Sequence, residues 1–162
     1  MRLALALLLV LAPLPASAER YLGTILATAH PGDGSLSGLN PGLTLGRRWD
    51  HPNLGFETQL EAGIFRNSYG EVGPILLYGL STPLGRLGPG TLRLGASAGL
   101  ARYDELSRRL RDAYGIPSVA GVLPIVAATL SWRVGRHEVR LSALPPDRET
   151  RAVLNLSVAT TF

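Results

Sequence analysis

The feature that most constrains this chain is a hydrophobic alternation with a period of two residues. Over residues 54–65, apolar side chains and one threonine occupy one parity, and two glutamates and a glutamine lie on the other. Residues 91–101, 138–143 and 151–162 repeat the pattern. Successive side chains of a β-strand point to opposite faces, whereas a helix repeats every 3.6 residues. The alternation therefore predicts strands with one apolar face and one more polar face.

The alternation and the turn residues between its segments predict eight strands. They are residues 21–30, 39–49, 54–66, 72–82, 91–102, 117–133, 137–144 and 151–162. Most have the length that a tilted strand needs to cross a bilayer. Short connections at 50–53 and 134–136 contrast with the charged stretch 103–116, which we expect to be a loop. An even number of strands with an apolar outer face predicts an all-β fold, an eight-stranded antiparallel transmembrane β-barrel.

The beginning of the chain predicts export. Met1-Arg2 precedes an apolar run over residues 3–14, and Ala16-Ser17-Ala18 has the small-residue pattern of a cleavage site. The run is too short for a membrane-spanning helix, which needs about 20 residues. We expect residues 1–18 to be a signal peptide and residues 19–162 to form a barrel in the bacterial outer membrane. Both mature ends then lie in the periplasm, and the connections after odd-numbered strands face the exterior.

Composition narrows the possible chemistry. The chain has no cysteine, which excludes a disulfide framework and a thiolate metal site. Its 16 basic residues are all arginine, and several of them cluster in the stretch 102–111. Arginine pairs well with phosphate, but a solvated loop of mixed charge is the alternative. An exported barrel does not meet DNA, so we expect no nucleic-acid partner, and we also expect no metal or other cofactor and a monomeric state.

Aromatic residues bear on the choice between a membrane barrel and a soluble one. Trp49, Tyr78, Trp132 and Phe162 lie near predicted periplasmic strand ends, where an aromatic girdle belongs. A final phenylalanine on the apolar parity also resembles the end of many bacterial outer-membrane barrels. The alternative is a lipocalin-like barrel, apolar inside and polar outside. Parity alone does not separate the two, but the signal peptide and Phe162 favour the membrane.

One cluster of side chains predicts chemistry. His30 ends the first strand at the exterior rim, and Asn67 and Ser68 end the third strand at the same rim. A barrel brings these ends to one level around its mouth. A hydroxyl needs a neighbouring base to become a useful nucleophile, and His51 and His137 lie beside the opposite turns. The alternative is that these are ordinary loop residues.

Short blocks along the chain resemble one known family. Ile25-Leu26-Ala27-Thr28-Ala29-His30 resembles the segment with its catalytic histidine, and residues 40–46 resemble its second strand. Phe65-Arg66-Asn67-Ser68 resembles its Phe-Lys-Asp-Ser block, and Leu77-Tyr78-Gly79-Leu80 resembles its Tyr-Gly-Trp block. The family is the lipid A palmitoyltransferases, eight-stranded barrels of the outer membrane. They move a palmitoyl chain from the sn-1 position of a phospholipid to lipid A of lipopolysaccharide.

The resemblance implies roles for named residues and partners. It implies that His30, Ser68 and Asn67 are catalytic and that the lipid partners are phospholipid and lipid A. It implies that Gly79 lies on the interior wall and limits the depth that an acyl chain can reach. It also implies that lipid enters sideways where proline interrupts the hydrogen bonds between strands. The corresponding prolines here are Pro41, Pro124 and Pro145; the alternative is that they only mark strand ends.

Two departures from the family keep other functions open. The family's aspartate corresponds to Asn67, whose amide can orient an imidazole but cannot act as a base. The family's amphipathic amino-terminal helix has no counterpart before the first predicted strand. A lipid acyl hydrolase, a different acyltransferase and a non-enzymatic barrel with a structural or interaction role are the alternatives.

Overall fold

Eight antiparallel strands close into a barrel in the computed structural model, which describes residues 18–30, 38–114, 119–145 and 153–162. Each strand pairs with the next, and the last pairs with the first. The strands are β1 (Ala18–Ala29), β2 (Gly42–His51), β3 (Phe56–Arg66), β4 (Val72–Leu87), β5 (Gly90–Arg102), β6 (Val122–Val134), β7 (His137–Leu144) and β8 (Val153–Thr161). All eight predicted strands are confirmed. The expected signal peptide lies almost wholly outside the described residues, and β1 already begins at Ala18.

The outer face of the barrel is apolar and the inner face is polar. On β2 and β3, the outward Leu45 and Ile64 are 61% and 60% exposed, whereas the inward Arg48 and Glu61 are buried. A soluble barrel has the opposite arrangement. A continuous apolar exterior of this size is stable only against hydrocarbon. The molecule is therefore a transmembrane barrel, and the lipocalin-like alternative is wrong.

The end of the barrel with the short turns is filled by a tyrosine between two arginines. The guanidinium carbons of Arg48 and Arg140 each lie 4.7 Å from the ring centroid of Tyr21. The tyrosine hydroxyl donates to Glu61 Oε2 at 2.8 Å. Gly46 on the neighbouring strand makes this packing possible, because a Cβ there would lie 2.1 Å from the ring. The ring and the two cations block the interior at this level.

Ion pairs fill the rest of that end, which we call the floor. Its charged members are Arg48, Arg93, Arg133, Arg140, Glu57, Glu61 and Glu138. Glu57 accepts from Arg133 at 2.6 Å and lies 3.3 Å from Arg93. Glu138 lies within 3.4 Å of both Arg133 and Arg140. The attraction between opposite charges at these distances offsets the free-energy cost of removing each charge from water. The polar parity predicted from the sequence is thus a connected ionic layer.

The long connection after β5 is a helix rather than the loop we expected. Helix α1 (Asp104–Tyr114) follows β5 after a single residue. The backbone N–H groups of Asp104 and Glu105 donate to the carboxylate of Glu71, each at 3.1 Å. A carboxylate suits this position because the first N–H groups of a helix have no partner within the helix. Within the described residues, no helix is both long and apolar enough to cross a membrane.

In two pairs of adjacent strands, β1–β2 and β6–β7, the strands separate towards the exterior rim. In the described residues, the β6–β7 ladder stops at Ala128–Ala143, whereas the β5–β6 ladder continues to Arg102–Val122. The β1–β2 ladder stops at Ile25–Gly42, although β1 pairs with β8 as far as Ala29. The outer half of β6 therefore has no β7 ladder partner among these residues.

A β-bulge in β1 changes which side chains face inward. Ile25 pairs with Ser157 and Ala27 with Leu156, so Leu26 is an extra residue in the ladder. Below the bulge the buried residues of β1 are odd-numbered, and above it the even-numbered Thr28 is buried. An extra residue of this kind shifts the alternation by one. A regular strand would instead turn Thr28 and His30 to the lipid.

The aromatic residues only partly form the expected girdle. Trp132 and Phe162 are exposed at the end with the short turns. The predicted position of Tyr78 near a strand end is wrong, because β4 continues to Leu87 and Tyr78 lies near the middle of the strand, opposite Leu60. Trp49 is 3% exposed and is therefore buried rather than part of an exposed girdle.

Candidate active site

His30 and Ser68 meet at the exterior mouth of the barrel. His30 Nε2 lies 2.6 Å from Ser68 Oγ, although the residues are 38 positions apart in the chain. His30 follows the end of β1, beyond the bulge, and Ser68 lies in the turn between β3 and β4. An imidazole nitrogen at this distance can accept the proton of a serine hydroxyl. The pairing expected from the strand ends is present.

A third side chain contacts the pair, and the sequence did not single it out for this role. Asn40 is 2% exposed, and its Nδ2 donates to Ser68 Oγ and to the carbonyl of Arg66, each at 3.2 Å. The amide end of asparagine is a donor only, so the serine oxygen accepts this bond. Asn40 lies within the predicted strand 39–49 but precedes the observed β2, and no sequence pattern indicates what it contacts.

Asn67 makes its hydrogen bonds within its own turn and to Glu71. Its Oδ1 accepts from the backbone N–H groups of Tyr69 and Glu71, both at 3.0 Å. Its Nδ2 donates to Glu71 Oε2 at 2.9 Å. Through Glu71 the turn is tied to the beginning of α1. These bonds give Asn67 a structural role in the turn at the rim. Its expected catalytic role stays a prediction.

A cavity of about 240 Å³ opens beside the pair inside the barrel. Its walls carry apolar side chains, among them Ile25, Phe65, Ile75, Leu77 and Ile125. Its deeper lining is polar and includes Gln59, Glu61 and Arg140. From Ser68 to Glu61 is about 23 Å along the strand at ~3.3 Å per residue. The cavity can accept part of an apolar chain and ends on the floor.

Gly79 faces the interior, as expected, and pairs with Gln59 in the deeper part of the barrel, but it does not itself line this cavity. It is buried on β4, and a Cβ there would lie 3.1 Å from Gln59 Nε2 and 3.2 Å from Ser97 Cβ. It lines a second cavity of about 720 Å³, which reaches the outer surface of the barrel. The role of Gly79 in limiting chain length stays a prediction.

The three prolines lie at or beside the places where strands separate. Pro41 directly precedes β2, and its carbonyl accepts from the backbone N–H of Arg66 at 2.8 Å. Pro124 lies in the part of β6 beyond the β6–β7 ladder, and Pro145 directly follows β7. The two cavities share lining residues at the separated ends of β6 and β7, including Ala127, Leu144 and Pro145. The two cavities thus adjoin between the separated ends of β6 and β7, and we call this junction the side passage.

Aromatic and charged side chains surround the mouth. Phe65 and Tyr103 pack edge to face with ring centroids 5.5 Å apart, and burial raises the pKa of Tyr103 to about 12. Tyr103 is therefore protonated at neutral pH. Arg108 and Arg109 donate to Glu105, and these bonds lower the pKa of that exposed carboxyl. The arginine cluster therefore carries its own counter-charges on α1.

Among the described residues, no group of three or more histidine, cysteine, aspartate or glutamate side chains could hold a metal ion. The groups available for chemistry at the mouth are the hydroxyl of Ser68, the imidazole of His30 and the amide of Asn40. Together they resemble a nucleophile, a base and a hydrogen-bond donor.

No protein-family model and no curated protein matches this chain. Among solved structures, it is similar to the outer membrane protein Ail of Yersinia pestis, determined as a backbone structure in a phospholipid bilayer nanodisc. The identity is 10% and the TM-score 0.43, with 90% of this chain and 100% of that chain covered. The barrel architecture therefore rests on the strand pairing described above.

Proposed function

We propose that this protein is an acyltransferase of the bacterial outer membrane that moves an acyl chain from a phospholipid to lipid A. The observation that carries the proposal is the 2.6 Å contact between His30 Nε2 and Ser68 Oγ beside an apolar cavity. The blocks that resemble lipid A palmitoyltransferases supply the two lipids. The comparisons with known proteins support only the barrel.

The chemistry follows from the pair. Ser68 Oγ attacks the ester carbonyl carbon of the phospholipid, and His30 Nε2 takes the hydroxyl proton. The bond from that carbon to the glycerol oxygen breaks, and His30 returns the proton to this oxygen. The products are a lysophospholipid and an acyl group on Ser68. A hydroxyl of lipid A then attacks the acyl carbon, its proton passes through His30, and Ser68 regains its hydrogen.

The path of the lipid is the side passage between β6 and β7. A backbone N–H or C=O group without a hydrogen-bond partner is unstable in hydrocarbon, so a wide opening between strands would cost free energy. Here Pro124 contributes no N–H, and the walls are alanine, valine and leucine side chains. An acyl chain can move from the outer leaflet through this passage without crossing the ionic floor.

The experiment uses the full chain reconstituted in vesicles of phospholipid with a labelled sn-1 chain and lipid A. We expect labelled lipid A and an equal amount of lysophospholipid. His30→Gln should slow transfer at least about 100-fold, because a general base contributes this much or more, and Ser68→Ala should abolish it. His51→Gln, at the opposite end of the barrel, is the matched control and should keep full activity.

A non-enzymatic outer-membrane barrel is the second candidate, and the bonds of Asn67 favour it. At the position of the family's aspartate, this amide binds Glu71 and its own turn. Lysophospholipid without labelled lipid A, together with free fatty acid, would identify a hydrolase instead. No acyl release under any condition would leave the non-enzymatic barrel.

A further inference from the structure

The amide of Asn40 has a fixed orientation beside Ser68. The carbonyl of Arg66 can only accept, so the end of the Asn40 side chain that faces it must be Nδ2. The same Nδ2 donates to Ser68 Oγ. A lone pair of the serine oxygen is thereby occupied, and the hydroxyl hydrogen is left for His30 Nε2 at 2.6 Å.

The other end of this amide adds no hydrogen bond to the described part of the fold. Asn40 Oδ1 is buried and has no hydrogen-bond partner among the described residues. A buried acceptor without a partner costs about 1–3 kcal/mol. An apolar side chain of the same shape would avoid this cost. An asparagine kept in such a place, on the lining of the cavity, points to a function beyond packing.

The backbone holds this segment independently of the side chain. The backbone N–H of Arg66 donates to the carbonyl of Pro41 at 2.8 Å. Asn40 is therefore anchored next to β3 whatever its side chain is. Removing the amide removes the bond to Ser68 and one to the Arg66 carbonyl, but it also removes the unpartnered oxygen.

We propose that Asn40 is a positioning residue that holds the Ser68 oxygen so that the hydroxyl hydrogen is directed towards His30. The inference rests on the proposed function only in taking Ser68 as the nucleophile. A small displacement of a reacting group lowers its rate strongly, so a bond that fixes the direction of the hydroxyl affects its reactivity.

The test measures how fast a fluorophosphonate probe modifies Ser68 in the full chain folded in detergent micelles, read by mass spectrometry. Asn40→Leu should lower the rate up to about 100-fold, the scale on which a small misplacement of a reacting group slows a reaction. Its unfolding midpoint should match that of the unaltered protein. Asn53→Leu in the short turn after β2 is the matched control and should label at the original rate.

A second variant separates positioning from a structural role. Asn40→Asp replaces the donor by a carboxylate, which favours the protonated imidazole of His30. The labelling rate should fall, and the midpoint of its pH dependence should rise by about one unit or more. An unshifted midpoint would overturn the proposal, and so would Asn40→Leu labelling at the original rate. If Asn40→Leu does not fold, the midpoint of Asn40→Asp decides.

The labelling test of Asn40 and the acyl-transfer test of the proposed function can fail independently. Ser68 that is labelled normally in a protein without acyl transfer overturns the transferase and leaves the role of Asn40 standing. Ser68 that resists the probe in the unaltered protein overturns the role of Asn40, because there is then no activated hydroxyl to position.

Discussion

At the scale of single residues, the hydrogen bonds of Glu71 explain why an amide occupies position 67. Its carboxylate accepts from the amide of Asn67 and from two backbone N–H groups at the beginning of α1. A carboxylate at position 67 would face another carboxylate at hydrogen-bond distance. The amide is therefore the side chain that this rim accommodates, and a departure from the resembled family has a local cause.

Asn67→Asp should loosen the contact between the rim and α1. Two like charges in direct contact repel, and the loss of one donor leaves Glu71 with fewer bonds. We expect trypsin to cleave after Arg108 and Arg109 several-fold faster in micelles. Adding Glu71→Gln should restore the original rate, because glutamine can donate to the new aspartate. An unchanged rate in the single variant would contradict this account.

The convergence of His30 and Ser68 was predictable because both stand at strand ends on the same rim. The contact of Asn40 was not, because the sequence placed that residue inside the second predicted strand, 39–49, whereas β2 begins only at Gly42. The bonds of Asn67 depend on Glu71, whose own partners lie 33 and 34 residues further along the chain. Side-chain partners at such separations leave no local pattern.

At the scale of elements, the bulge in β1 decides whether the site exists. Parity counted from the buried Tyr21 would turn His30 towards the lipid. The bulge takes Leu26 out of the alternation, so His30 keeps the inward direction. Alternation predicted each strand well because lipid and interior demand opposite polarity. It predicts a bulge poorly, because Leu26 and Ala27 are both apolar and fit the outer face.

Deleting Leu26 should leave the barrel folded and His30 inward, because the remaining residues keep their partners on β8. Inserting one alanine between Thr28 and Ala29 should turn His30 outward and reduce Ser68 labelling as strongly as His30→Gln does. The heat-dependent shift of the folded barrel on gels checks that both variants fold. Labelling that survives the insertion, or is lost in the deletion, would show that the bulge does not set the direction.

Helix α1 was missed for an identifiable reason. Its charges are spread along the segment, with Asp104 and Glu105 in the first turn and Arg111 in the last. That arrangement suits a helix dipole, but an isolated helix of this length is marginal in water. The carboxylate of Glu71 at its beginning supplies the missing partner from another loop.

At the scale of the whole molecule, the floor closes the barrel interior at the end with the short turns, so the barrel is not an open channel. Arg140 is central, because it binds Glu61 at 2.8 Å and Glu138 at 3.3 Å and covers one face of Tyr21. Among the described residues, the mouth and the side passage both lie on the exterior side of the floor.

Arg140→Met should destabilise the folded barrel by about 3–5 kcal/mol, because removing one partner of a buried pair leaves uncompensated charge. Urea unfolding in detergent, followed by the gel shift, measures the change. Arg86→Met, at the exposed end of β4, is the matched control and should change stability by less than about 0.5 kcal/mol. A loss for Arg140→Met as small as that of the control would show that the floor adds little to stability.

The floor also dictates an order of assembly. Arg48 on β2 is bound to Glu138 on β7, 90 residues later in the chain. Glu57 on β3 is bound to Arg133 on β6, 76 residues later. Adjacent strands supply a first partner for these charges, because Arg48 also pairs with Glu57 and Arg133 with Glu138. The pairs between β2 and β7 and between β3 and β6 form only when the sheet curls into a barrel. A half-formed sheet in the bilayer would hold each of these charges with only part of its partners in hydrocarbon, so we expect insertion and closure of the barrel to proceed together.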